Sequence, residues 1–246
     1  MSAINSYLNR IKEIIDTAAE READSMEAAA QMLYEATKQG KNLYTFGNGH
    51  ASLLALELYY RTGGMATFNP ISAPGLMLDL PKALMTTDME RLEGYGQVIF
   101  NNSGIVAGDV IIIHSVSGRN PATIDMAMAC REAGVKVIIL TNMNTSTVEP
   151  SRHSGGKNLY EFGDIVIDNC GDYGDAAMSF PGFPQKVAPS STAVGAALLY
   201  AVVARTVELL LEDGIMPPVF VSANVEGGDE HNKKVLEQYK DHIFYM

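Results

Sequence analysis

The sequence predicts an α/β fold: a three-layer αβα sandwich on a five-stranded parallel sheet, with helices before it and an extension after it. Two observations carry this. Short apolar runs alternate with longer segments of helical periodicity, the order strand, crossover helix, strand that a doubly covered parallel sheet requires. Three loops rich in glycine or hydroxyl residues stand immediately before helical segments, where the ligands of such sheets gather.

Ile4, Leu8, Ile11, Ile14, Ile15 and Ala18 recur at helical spacing, and a second helix runs from about Ser25 to Lys38 before Gly40 stops it. Residues 42–46 form the first strand, which ends in Gly47-Asn48-Gly49-His50-Ala51-Ser52 and leads into a helix through about Arg61. Residues 65–68 make a short second strand, and an irregular or helical stretch reaches Gly94 and continues as a helix to about Ser103. Val110 to Ser115, announced by Gly108-Asp109, reads as a buried third strand, with a helix over Pro121 to Ala133. Residues 136–140 and 164–167 are the fourth and fifth strands, and a long helix spans about Ser191 to Leu211. The chain therefore divides into a helical segment at 1–40, the sheet domain at 41–214 and an extension at 215–246 that belongs to the same domain.

With 246 residues and 47% hydrophobic content the chain can bury a large core. A formal charge of −11 and a pI near 4.9 argue against nucleic acid as a partner. Any anionic ligand must be held locally. Cys130 and Cys170 show no CxxC or metal-ligand spacing, and the five histidines share no element, so free thiols in a reducing cytosol and no metal or cofactor are expected. The N-terminus lacks the apolar core of a signal peptide and no later segment is expected to approach a membrane span, so the protein is expected in the cytoplasm with no membrane partner.

Ser115-Val116-Ser117-Gly118-Arg119-Asn120 joins a strand to a helix start, where unpaired backbone N–H groups and the helix dipole suit a phosphate without any lysine. Ser115 and Ser117 point the same way and Gly118 lets the backbone come close; helix N-capping is the equal alternative. Gly47-Asn48-Gly49 departs from GxGxxG, since Ser52 stands in place of the third glycine, which disfavours a dinucleotide and leaves a ligand loop or a plain turn. Ser190-Ser191-Thr192 precedes the long helix and is a third anion-binding or capping cluster.

On GNGHAS, SVSGRN and PSST the chain resembles the SIS, or sugar isomerase, domain family, specifically its phosphoheptose-isomerase-like branch, over about Leu43 to Leu211. The resemblance implies a flavodoxin-like topology, a homodimer or homotetramer, and a phosphosugar ligand with Ser115 and Ser117 on the phosphate. Gly47, Asn48, Gly49, His50, Ser52, Gly118, Asn120, Ser190, Ser191 and Thr192 complete the implied ligand site. Asn120 stands where many members carry Ser or Thr, and its amide still donates to a phosphate oxygen. The helix after Thr192 lacks the Gln and His that phosphoheptose isomerases carry there.

Isomerisation of an aldose needs a base that moves a proton between adjacent carbons and an acid that polarises the carbonyl. Glu57 is a candidate base if a neighbouring subunit covers its helix, and otherwise an i,i+4 partner of Arg61. Glu90 and Glu93 lie where the related etherases place an acidic residue, and a solvated helix face is the alternative. His231, in GGDEHN of the extension, completes a site from a neighbouring subunit or merely opens the last helix. His114 faces away from Ser115 and is expected to be packed in the core. Arg152, His153 and Lys157 form a basic island on an acidic protein. The expected function is phosphosugar binding with isomerisation as the leading chemistry. A non-catalytic phosphosugar sensor and a carbon–oxygen lyase of the etherase type are the alternatives.

Overall fold

The computed structural model describes residues 2–78 and 82–246. Five parallel strands form the central sheet in the order β2-β1-β3-β4-β5. They are β1 (Leu43–Gly47), β2 (Phe68–Pro70), β3 (Val110–His114), β4 (Lys136–Thr141) and β5 (Ile165–Asp168). Every residue of β1 and β3 is buried, as expected of strands covered on both faces. Alternation divides their side chains. Leu43, Val110, Ile112 and Ile138 enter one core, whereas Tyr44, Phe46, Ile111, Ile113 and Ile139 enter the other.

The first core is closed by α1 (Ala3–Arg21), α2 (Ala23–Lys38), α3 (Ser52–Glu57) and the long helix introduced below. The second lies under α4 (Leu84–Glu90) at the rim, α5 (Tyr95–Asn101) and α6 (Pro121–Glu132). A short α7 (Met143–Ser146) follows β4, and α8 (Ser191–Glu212) follows β5 and an insertion. Close approach of α5 to α6 requires Gly96, where a Cβ would meet the Ala122 carbonyl oxygen at 2.1 Å. Each fully buried Leu, Ile or Phe contributes about 1.5 to 3 kcal/mol, so the Ile-rich β3 and β4 anchor both layers.

Several expectations are corrected. The helix after β1 ends at Glu57 rather than Arg61, because Tyr60 takes a left-handed backbone with φ 47°. The second strand is 68–70, not 65–68: Met65 pairs with Val219 and the Ala66 N–H donates to Pro218, so the extension claims those residues. Pro70 is tolerated because β2 is an edge strand. The segment before α8 holds an unforeseen hairpin, β6 (Ala176–Phe180) and β7 (Phe183–Pro189). It turns at Gly182, φ 78°, and leaves Phe180 and Phe183 exposed. By length and composition α8 is apolar enough to cross a membrane, against the expectation that no segment would be. Its Val194, Leu198, Leu199, Val202, Val203 and Leu210 are buried against α2 and the first core.

The extension packs on the β2 edge. α9 (Gly228–Gln238) and the tail bury Phe220, Val235 and Ile243 with Ala66, and the Phe244 N–H donates to Asn69 Oδ1 at 2.8 Å.

Candidate functional site

The carboxyl ends of the strands carry a buried polar floor instead of apolar side chains: Thr45, Asn48, Ser115, Thr141, Asn142 and Asn169 are all at most 8% exposed. In the order β2-β1-β3-β4-β5 the connections leave in opposite directions between β1 and β3, the crevice where such sheets bind ligands. Gly47 pairs with His114 there, which sets the loop after β1 beside the loop after β3.

The first loop is fixed by backbone demands. A Cβ on Gly47 would meet the Ala51 oxygen at 2.5 Å, and Gly49 has φ +57°. Ser52 Oγ donates to the Gly49 carbonyl at 2.6 Å. Asn48 Nδ2 donates to Thr123 Oγ1 at 2.8 Å, tying this loop to the first turn of α6, while Asn48 Oδ1 is buried with no partner among the described residues. A buried acceptor of this kind is costly unless a ligand donor meets it.

In the second loop Gly118, φ +62°, donates to Ser115 Oγ at 3.2 Å. Thr141 Oγ1 donates to the Ser115 carbonyl at 2.6 Å, and the Leu159 N–H to the Gly118 carbonyl at 2.7 Å. The framework thus points the loop's remaining N–H groups outward. Those of Ser117, Arg119, Asn120, Ala122 and Thr123, and the Ser117 hydroxyl, have no acceptor among the described residues. With Pro121 opening α6, these donors face outward at a helix N-terminus, the arrangement of backbone N–H groups that suits an anion.

The third cluster has a different fate. Asp175 Oδ1 accepts from the N–H groups of Ser190 at 3.1 Å and Ser191 at 2.8 Å, and Asp175 Oδ2 accepts from Ser191 Oγ at 2.7 Å. A carboxylate from the chain itself therefore fills the N-terminus of α8, and Thr192 is exposed. No local sequence signal links Asp175 to α8, since an entire hairpin separates them.

A cavity of about 740 Å³ adjoins the first loop, lined by Asn48, Gly49, His50, Thr86 and Glu90 among others. Burial pushes the Glu90 carboxyl above its ordinary value, and a hydrogen bond from Asn120 with the charges of Arg152 and Arg91 pulls it part of the way back. Arg152 Nη1 donates to Asn120 Oδ1 at 2.7 Å, so the basic island reaches the α6 cap.

Glu57, Glu93 and His231 do not border this cavity and do not meet one another. Glu57 pairs with Arg61 at 3.1 Å, and its backbone oxygen accepts from Tyr200. Glu93 accepts from the Ser154 N–H at 3.0 Å and from the Ser154 hydroxyl, bonds that hold its carboxyl below the usual range. His153 accepts from the Gly155 N–H on Nδ1 at 2.9 Å, so its proton sits on Nε2 and is donated to Asp125 at 3.1 Å. Glu93 and Asp125 thereby fasten the 151–155 loop over the site. His231 Nε2 donates to the Val219 carbonyl at 3.0 Å within the extension. Cys130 and Cys170 are free and buried, and burial pushes both thiols up to about 12.

The family model of the SIS domain matches residues 6–142. A UPF0309 protein of Shouchella clausii is 44% identical over all 246 residues, covering 100% of both chains. A UPF0309 protein of Streptomyces coelicolor is 39% identical over 240 residues, covering 97% of this chain and 96% of the other. Among solved structures, a phosphoheptose isomerase from Francisella tularensis has a TM-score of 0.52 at 17% identity, covering 84% of this chain and 98% of its own. The Vibrio vulnificus NanR protein complexed with ManNAc-6P has a TM-score of 0.53 at 14% identity, covering 98% of this chain and 69% of its own. At these identities the structures share the fold. From the SIS model and the full-length relatives together, the chain belongs to the SIS domain family and, within it, to the UPF0309 proteins.

Proposed function

We propose that this protein binds a phosphorylated sugar or amino sugar in the crevice between β1 and β3 and isomerises it between aldose and ketose. The observation that carries the reading is the pairing of the outward-facing N–H groups at the start of α6 with a half-buried carboxyl, Glu90, in the adjoining cavity. The start of α6 holds the phosphate through Ser117, the backbone N–H groups and the α6 dipole. Asn48 Oδ1 receives a sugar hydroxyl. Glu90 takes the proton from the carbon beside the carbonyl and returns it to the neighbouring carbon, while His50, on the same cavity wall, polarises the carbonyl oxygen. The phosphoheptose isomerase with the same fold supports this chemistry by analogy.

Binding without turnover, as a phosphosugar sensor, is the second reading, supported by the missing Gln and His after Thr192 and by the neighbour NanR in complex with ManNAc-6P. Etherase-type lyase chemistry would also use Glu90. We place the protein in the cytoplasm as a homodimer. The exposed Ile4 and Leu8 of α1 with Phe180 and Phe183 of the hairpin are apolar surface that a second copy covers, and a second copy is also what would bring Glu57 or His231 to a site.

The experiment is a thermal-shift screen of hexose, heptose and amino-sugar phosphates against their free sugars, followed by a turnover assay on whichever stabilises. Stabilisation by a phosphosugar and not by its free sugar, with turnover lost in Glu90→Gln, is the expected result. Binding with no turnover selects the sensor, and no stabilisation overturns the site.

A further inference from the structure

A second cavity, of about 630 Å³, runs along the flank of the sheet between edge strand β2, α5 and the C-terminal tail. Its volume suits a small ligand. Tyr44, Tyr95, Phe244 and Tyr245 supply aromatic walls, and Phe244 stacks on Tyr44 with centroids 6.1 Å apart at 26°. Among the described residues, no Asp, Glu, Lys, Arg or His side chain lines it. An ion buried there would find no opposite charge, which separates this cavity from the start of α6.

Its polar groups are largely spent. Asn69 uses Nδ2 on the Thr67 and His242 carbonyls, both at 3.0 Å, and Oδ1 on the Phe244 N–H; Tyr95 donates to the Pro74 carbonyl at 2.6 Å. Tyr44 is the exception. It is only 3% exposed, yet its hydroxyl has no partner among the described residues, and the cavity is what it opens on. The ring is buried while the oxygen faces the cavity, where an acceptor atom of a ligand can reach it. Burial, with the nearby Asp109 carboxylate, pushes this phenol up to about 12, so it stays a neutral O–H donor at physiological pH.

We infer that this cavity is a binding site for an uncharged, ring-bearing small molecule whose acceptor atom takes the Tyr44 hydroxyl proton and whose ring lies among Tyr95, Phe244 and Tyr245. The site is independent of the phosphosugar reading. Its wall α5 packs on α6, and the Gly94 N–H just ahead of α5 donates to Asp125 of α6 at 2.7 Å.

The test uses the full-length protein and ligand-observed NMR with adenosine, uridine and indole as uncharged ring probes, and adenosine monophosphate as the charged control. At least one uncharged probe should bind and the charged control should bind at least tenfold more weakly than adenosine. Tyr44→Phe, which removes only the hydroxyl, should weaken the bound probe by about threefold to tenfold without lowering the melting temperature. Val98→Trp fills the mouth from an exposed α5 position and should abolish binding. Absence of binding by all three probes, or binding unchanged in both variants, overturns the inference.

Discussion

Arg152 Nη1 donates to Asn120 Oδ1 at 2.7 Å, which turns the donor side of the Asn120 amide toward Glu90. One loop residue therefore reaches the proposed proton carrier through the cap of α6. Arg152→Met should free that amide and remove a nearby positive charge, raising the proton affinity of Glu90 further. Titration of the Glu90 carboxyl carbon by NMR without substrate reads this directly. An unchanged midpoint would mean that Arg152 only ties down its own loop.

Glu90 also links stability to pH. Its folded value lies above the unfolded one, so the native state binds more protons and stability falls as pH rises from the ordinary carboxylate range through the raised value. Glu90→Gln should flatten that limb in chemical denaturation between pH 4 and 7, while abolishing turnover. A limb identical to that of the wild type would remove the argument from the partial burial of Glu90.

The two hydroxyl clusters should separate by assay. Ser117→Ala should weaken a phosphosugar by about 1 to 3 kcal/mol in calorimetry, because a charge-assisted hydrogen bond is lost. Ser191→Ala should leave affinity unchanged and lower stability by about 1 to 2 kcal/mol, because its hydroxyl serves Asp175. The reverse pattern would place the phosphate at α8.

Gly96→Ala should destabilise by about 1 to 3 kcal/mol in urea, despite alanine's better helix propensity, because its Cβ would enter the Ala122 carbonyl. A neutral result would show that α5 shifts freely from α6.

His114 is 2% exposed, donates from Nδ1 to the Ala51 carbonyl at 3.2 Å and leaves Nε2 without a partner among the described residues. Burial pushes it down to about 4, so the unfolded chain binds the proton first and stability falls as pH drops from about 6.5 toward 4. His114→Leu should reduce that decline, as measured by denaturation at pH 7.5 and pH 5. An equal decline would assign the acid sensitivity to other groups.

The sequence by itself determined the layered sheet, since the runs at Val110 and Lys136 and the helix from Pro121 depend on local periodicity and on which side chains avoid water. It determined the helix start after β3 too, because a helix N-terminus after a strand is a property of adjacent residues. Packing between distant segments decided the rest. Met65 and Ala66 read as strand but pair with the extension, Asp175 crosses the hairpin to fill α8, Glu93 is bound by Ser154 from 61 residues away, and burial distinguishes Glu90 from Glu93 although they are one turn apart. Local periodicity is fixed by nearest neighbours. A carboxylate's burial and partners depend on which elements pack over it, and only the tertiary structure specifies that.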